Sequence, residues 1–151
     1  MMNGLTIESC ATGSIRYKQA VALRDAVLRR PLGLSLTPEE LALDNGREHL
    51  VAVHDGNVVG TVSLYLETPT ILRIKQMAVD PAKQGLGIGA ELMQAAEARG
   101  RALGAQSMLL HARCTAQPFY DRQGYIVHGE EFAEQGIPHV IMVKRMVKSL
   151  A

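Results

Sequence analysis

The sequence predicts an α+β domain with its elements in the order β-α-α-β-β-β-α-β-α-β-β. Three observations predict it. The chain has 151 residues, 47% of them hydrophobic, and no repeat, low-complexity tract or linker, so one domain spanning 1–151 has enough apolar material for a core. A block rich in Val, Ile and Leu between His49 and Asp80 is punctuated like successive strands. Behind it comes "AELMQAAEARGRALGA", a run with helical periodicity.

Taken in order, Leu5 to Cys10 forms a first strand. Ser14 or a neighbour caps a helix in which Ala20, Leu23 and Val27 share a face, and Pro31 stops it. Thr37-Pro38-Glu39-Glu40 opens a second, shorter helix: Pro suits the first helical position, and the Thr hydroxyl and Glu carboxylate can each satisfy an otherwise unpaired amide. "HLVAVHD", "VVGTVSLYL" and "ILRIKQMAV", separated by Asp55-Gly56-Asn57 and by Pro69, read as an antiparallel meander. In the next helix Leu92, Met93, Ala96 and Leu103 lie on one side, with Glu91, Gln94, Glu97 and Arg101 on the other, and Gly104 is its stop. "SMLLHAR" is a further strand, "PFYDRQ" a short helix, and two final strands lie near "YIVHGEEF" and "HVIMVKRM".

Composition excludes several function classes. Sixteen Lys plus Arg against fifteen Asp plus Glu leave a formal charge of +1, which gives no general pull toward nucleic acid or anionic lipid. The N-terminus lacks the basic start and long apolar core of a secretory signal, and no run approaches the roughly 18 apolar residues that span a bilayer, so a cytoplasmic protein without membrane association is expected. Cys10 and Cys114 are too few for a disulfide framework and lack zinc-ligand spacing; no metal is expected.

The chemistry-bearing stretch is "QGLGIGA", Gln84-Gly85-Leu86-Gly87-Ile88-Gly89-Ala90, directly before the amphipathic helix. Glycine lacks a Cβ, so such a loop can turn its amides inward around an anion, and the helix behind adds unpaired amides and the positive end of its dipole. The same residues fit the dinucleotide pattern G-x-G-x-x-A, but "DPAKQ" separates them from the preceding strand, and the next strand ends in His111 and Arg113 where an acidic residue is wanted. A P-loop is excluded because no Gly-Lys-Ser/Thr follows.

"MAVDPAKQGLGIGAELM" resembles the acetyl-coenzyme A signature of the GNAT (Gcn5-related N-acetyltransferase) superfamily, Gln/Arg-x-x-Gly-x-Gly/Ala, and "AQPFYDRQGY" is similar to its later A-x-x-x-Tyr-x-x-x-Gly-Phe/Tyr element. The resemblance covers about residues 49 to 146; "LLHARCTAQPFYDRQGY" and "GIPHVIMVK" look most like a branch of small bacterial acetyltransferases of mostly uncharacterised substrate. It implies the acyl-CoA N-acyltransferase fold, a mixed central sheet flanked by helices, and acetyl-CoA as cosubstrate. It further implies that the strand before the loop splays at a bulge, where the pantetheine arm pairs with the backbone of Met77, Ala78 and Val79 while amides from Gln84 to Ala90 surround the pyrophosphate.

The reaction so implied is direct attack of an amine, on a small molecule or a protein, at the acetyl thioester. Tyr120, aligned with the family tyrosine, would protonate the departing thiolate, since a phenol near pKa 10 can serve a thiol near 8.5; it can equally be half of a Phe119-Tyr120 packing pair. For the base, Glu130, Glu131, His111 and His139 are open. His139 in "GIPH" leads, because Gly136 and Pro138 would fix a loop facing the substrate. Arg113 stands where many relatives carry Asn, and Lys83 or Arg122 would serve the cofactor's outer phosphate if they are not simply solvated. A noncatalytic acyl-CoA-binding sensor is the alternative from another class, and the exposed edges of such a sheet suit a homodimer.

Overall fold

The computed structural model describes residues 2–146. Its strands follow the order β1-β2-β3-β4-β5-β8-β6, with β7 on β8, in a mixed sheet flanked by helices. The described chain divides into two compact units, one from Met2 to Tyr65 together with Gln76–Ala96, the other Leu66–Lys75 together with Glu97 to Met146.

In the first unit β1 (Thr6–Cys10), β2 (Glu48–His54) and β3 (Asn57–Thr68, which leaves the unit after Tyr65) pair antiparallel in sequence. The β2–β3 connection is a two-residue hairpin with Asp55 at φ 49 and Gly56 at φ 75, the type I′ geometry that matches strand twist. Helix α1 (Ile15–Arg24) begins at Ser14, whose hydroxyl accepts the Tyr17 amide, and Ala20 packs on Val51 and Val53. Pro31 does not end it cleanly. The turns widen into a π segment at Asp25–Arg29 and tighten into a 3-10 turn at Arg30–Leu32 before Gly33, at φ 72, stops the run. Helix α2 (Pro38–Ala42) carries the expected capping box, with the Glu40 amide donating to Thr37 Oγ1 at 3.1 Å and the Thr37 amide to Glu40 Oε2 at 3.1 Å.

A buried polar core in this unit has no sequence signal. Arg24 Nη1 donates to Asp44 Oδ2 at 2.7 Å with both side chains almost wholly buried, and the Tyr17 hydroxyl donates to the same oxygen. His49 bridges the Asp44 carbonyl and the Ser63 hydroxyl. Burial, then the bond to Asp44, pushes the Tyr17 phenol up to about 12.

Helix α3 (Ile88–Ala102) begins in the first unit and ends in the second. A Cβ on Gly60 of β3 would lie 2.8 Å from Ile88 Cγ2 and 2.9 Å from Leu92 Cδ1, so a bare backbone there seats the start of the helix. Its other end is seated through Gly100, where a Cβ would lie 3.0 Å from Met108 Sδ and 3.2 Å from Leu72 Cδ2. Gly104, at φ 88, closes the helix as expected, and the Ala105 amide returns to the Gly100 carbonyl.

In the second unit β4 (Ile71–Val79, which passes to the first unit after Lys75) runs parallel to β5 (Ser107–Arg113), and β5 pairs antiparallel with β8 (Ile137–Arg145) from Ser107↔Arg145 to Arg113↔His139. The segment expected as one strand near "YIVHGEEF" is two, β6 (Ile126–Val127) and β7 (Phe132–Glu134), both on β8 and broken where Gly129 takes φ 92. Helix α4 (Gln117–Arg122) follows β5. Glu97, assigned by periodicity to the polar side of α3, is 5% exposed: Tyr125 Oη and Lys144 Nζ each donate to its carboxylate at 2.9 Å, so partners 28 and 47 residues away overrule the helical pattern. Among the described residues no helix is long and apolar enough to cross a membrane.

Candidate functional site

The first unit offers backbone. After β4, the Asp80 carboxylate caps a 3-10 turn at Pro81–Lys83 by accepting the Ala82 amide, and the chain emerges into exposed residues Gln84 to Gly87. Gly85 and Gly87 stand at φ 82 and 84, a left-handed geometry that costs an L residue roughly 1–2 kcal/mol, and nothing lies within 4 Å of where their Cβ atoms would be. Conformation, not crowding, requires glycine here. The Gly87 carbonyl accepts the Glu91 amide and so opens α3, while Ile88, 1% exposed, anchors the first turn. The amides of Ile88, Gly89 and Ala90 have no acceptor within the helix, and Gly89 itself is helical. Upstream, Gln76 takes φ 59 inside β4, a kink immediately before Met77, Ala78 and Val79. The parallel ladder to β5 ends earlier, at Ile74↔Leu110.

The second unit offers side chains. Tyr120, 8% exposed on α4, stacks edge-on against Phe119 at 4.9 Å and Tyr125 at 6.1 Å. Burial pushes its phenol up to about 12, so it is a protonated donor at neutral pH. Through Tyr125, which reaches Glu97 of α3, Tyr120 belongs to the helix-covered face of the β5–β8 sheet.

The opposite face carries a cluster that the sequence reading only half located. Leu72 and Met108 point at Gly100 of α3, so the alternating residues Arg73, Leu109 and His111 point away from it, and the β8 and β7 partners His139, Phe132 and Glu134 share that face. Arg73 Nη2 contacts His111 Nε2 at 3.0 Å, and His111 Nδ1 contacts Glu134 Oε1 at 2.9 Å. A guanidinium only donates, so these partners assign the hydrogen of His111 to Nδ1, from which it is donated to Glu134. His139 donates from Nδ1 to the Ile137 carbonyl at 2.8 Å and points Nε2 at Glu134 Oε2, 3.6 Å away. Phe132 lies 5.1 Å from the His111 ring and 6.0 Å from that of His139. Burial alone would raise the Glu134 carboxyl, but the hydrogen bond donated by His111 and, after it, the neighbouring imidazoles and the Lys75 cation hold it below the usual range.

His139 therefore does not stand on a loop. It is a strand residue, 6% exposed, because Gln135 (φ 53) and Gly136 (φ 71) form a type I′ hairpin that pairs β7 with β8 immediately around it. Glu130 is exposed outside the cluster, and Glu131 accepts from the Cys114 thiol at 3.1 Å instead. Arg113 is the ladder partner of His139, and Arg122 is exposed. Glu134 was missed; its signal was Gln135-Gly136 read as a two-residue turn, which aligns Glu134 and Phe132 with the face of His139.

A family model described as Acetyltransferase (GNAT) domain matches residues 34–146. The uncharacterized N-acetyltransferase YjcF of Bacillus subtilis (strain 168) is 30% identical over 130 residues, 85% of this chain and 92% of the relative. A Lactobacillus plantarum structure assigned to the N-acetyltransferases superposes with a TM-score of 0.85 at 29% identity, covering 96% of this chain and all of the other (100%). A GNAT family acetyltransferase from Elizabethkingia anophelis, solved with acetyl-CoA bound, shares the fold at a TM-score of 0.74 and 18% identity over 96% of this chain and 100% of that one.

Proposed function

We propose, from the premise that the chain belongs to the GNAT acetyltransferase family, that it is a single-domain N-acetyltransferase carrying the acetyl group of acetyl-CoA to a primary amine of a small molecule or protein. The observation that carries this reading is the pair of left-handed glycines, Gly85 and Gly87, leading exposed backbone into the first turn of a 15-residue helix. Amides from Gln84 to Ala90 would hold the diphosphate of the cosubstrate, and main-chain groups of Met77, Ala78 and Val79, beyond the kink at Gln76, would pair with its pantetheine arm. The acetyl-CoA bound in the Elizabethkingia anophelis relative supports the choice of ligand.

In this scheme the amine nitrogen attacks the thioester carbonyl, the carbon–sulfur bond breaks, and Tyr120 gives its hydroxyl proton to sulfur. Burial keeps that hydroxyl protonated, the state a donor needs. His139 is the proton acceptor we assign to the amine, its Nδ1 committed to Ile137 and its Nε2 open toward Glu134. Calorimetry with acetyl-CoA and coenzyme A tests the first half: saturable binding is expected, and no heat of binding refutes the assignment. Release of coenzyme A in the presence of an amine separates an enzyme from a binding module.

A further inference from the structure

The proton path of the proposed reaction has one member that no motif names. Of the cluster opposite α3, the His139 side chain is 7% exposed and the Glu134 side chain 45%. An acceptor amine meets Glu134 first. In a neutral His139 with its hydrogen on Nδ1, the Nε2 lone pair faces the Glu134 carboxylate across 3.6 Å, two acceptors with no proton between them. The arrangement is completed by whatever brings a donor: an ammonium, or a proton on Nε2. His111 cannot serve, because its Nε2 is occupied by Arg73 and its Nδ1–H is spent on Glu134; it fixes the carboxylate's orientation.

We infer that Glu134 binds the acceptor as a cationic primary ammonium beside the Phe132 ring and passes its proton to His139 Nε2, an inference that rests on the acetyltransferase reading above. The ammonium loses one proton through the carboxylate to His139, from which it leaves to water. The free amine then forms the nitrogen–carbon bond. The second amine proton, released as the adduct collapses, replaces the one Tyr120 gives to sulfur, so one proton is released per turnover and no oxidant or further reactant is needed. Glu134 and His139 act on one face of the sheet and Tyr120 on the other. Arg73 is engaged by Glu67 at 2.9 Å and by His111, which argues against a carboxylate-bearing acceptor group at this spot.

The charged and titratable groups around His139 are Glu134 on β7, His111 and Arg113 on β5, Arg73 and Lys75 on β4, Glu67 on β3, and Glu131 with Cys114 beyond β5. Glu134 is the anion aimed at its ring.

The test follows acetylation of 2-phenylethylamine by release of the coenzyme A thiol, alongside calorimetry with coenzyme A. Glu134→Gln should lower kcat/KM about 100-fold, within the usual contribution of a positioned proton-transfer group, with coenzyme A affinity within twofold. His139→Asn keeps a donor for Ile137 but removes Nε2; it should lower kcat about 100-fold with KM for the amine within threefold. The rise of the wild-type rate with pH should be lost in His139→Asn, a change that a merely structural side chain would not cause. Phenylpropanoate should not compete. If the protein acetylates other amines but not 2-phenylethylamine, or if Glu134→Gln retains its rate within twofold, this inference alone is overturned; if it binds coenzyme A but acetylates no amine, the enzyme reading falls with it. If the wild type fails to bind coenzyme A, the acetyltransferase reading falls first. Should His139→Asn not fold, Glu134→Gln on its half-exposed hairpin decides by itself.

Discussion

The glycine loop before α3 and the His111–Glu134–His139 cluster opposite α3 are built on contrary plans. The loop is contiguous, exposed and made of main chain; Gly85 and Gly87 are there for their φ angles. The cluster draws on β4, β5, β7 and β8, and its content is side chains held by named partners. A backbone site tolerates changes in the residues between its glycines but not in the glycines. A side-chain site is the reverse, depending on the atoms presented and on each supporting partner. In the proposed reaction the first would hold the cosubstrate and the second would choose the acceptor.

The sharpest way to break this division is Tyr120→Phe, which should reduce turnover by roughly 10²- to 10⁴-fold while calorimetric affinity for coenzyme A stays within twofold. Equal losses in both would show that the tyrosine holds the fold around the ligand instead of giving a proton. The next effect is on stability. The Tyr120 phenol is raised in the folded state from its ordinary value near 10 to about 12, so its contribution is fully present below pH 10 and is lost as pH rises toward 12. That loss amounts to about 3 kcal/mol, measurable as a fall in denaturant midpoint, and Tyr120→Phe should make this part of the curve shallower, leaving the share that belongs to Tyr17. Gly87→Ala comes third: forcing φ 84 on an L residue costs roughly 1–2 kcal/mol, and coenzyme A should bind about tenfold more weakly with turnover at saturation unchanged. Smallest should be Lys83→Ala, with under threefold change in coenzyme A affinity, because a backbone site needs little from a cation at its rim. A tenfold loss there would blur the distinction.

The contrast also explains what was legible in advance. The left-handed glycines of the loop, the capping box at Thr37, the break at Asp55-Gly56-Asn57 and the close of α3 at Gly104 are local: each rests on residues a few positions apart, and the cap, the break and the stop formed, although Asn57 belongs to β3 and the turn itself is Asp55-Gly56. What escaped is long-range. Glu97 looks like a solvated charge on α3 until Tyr125 and Lys144 arrive from later in the chain, and Arg24 looks like the polar end of a helix until Asp44 meets it. Glu134 sits in an unremarkable acidic stretch, and only β7–β8 pairing turns it toward two imidazoles. His139 was named, but for a loop it does not occupy; the turn is Gln135-Gly136, earlier in the chain, which buries the imidazole in a strand and leaves the neighbouring carboxylate outside.

The two type I′ hairpins close on the molecule's capacity for improvement. The turn at Asp55-Gly56 uses residues suited to left-handed backbone, whereas the one beside Glu134 uses Gln135, at φ 53, where asparagine or glycine would sit with less strain. Gln135→Asn should thus raise the thermal midpoint of the protein without altering any group assigned to the acyl donor or the amine, and it marks the natural first step for anyone engineering a sturdier version of this scaffold.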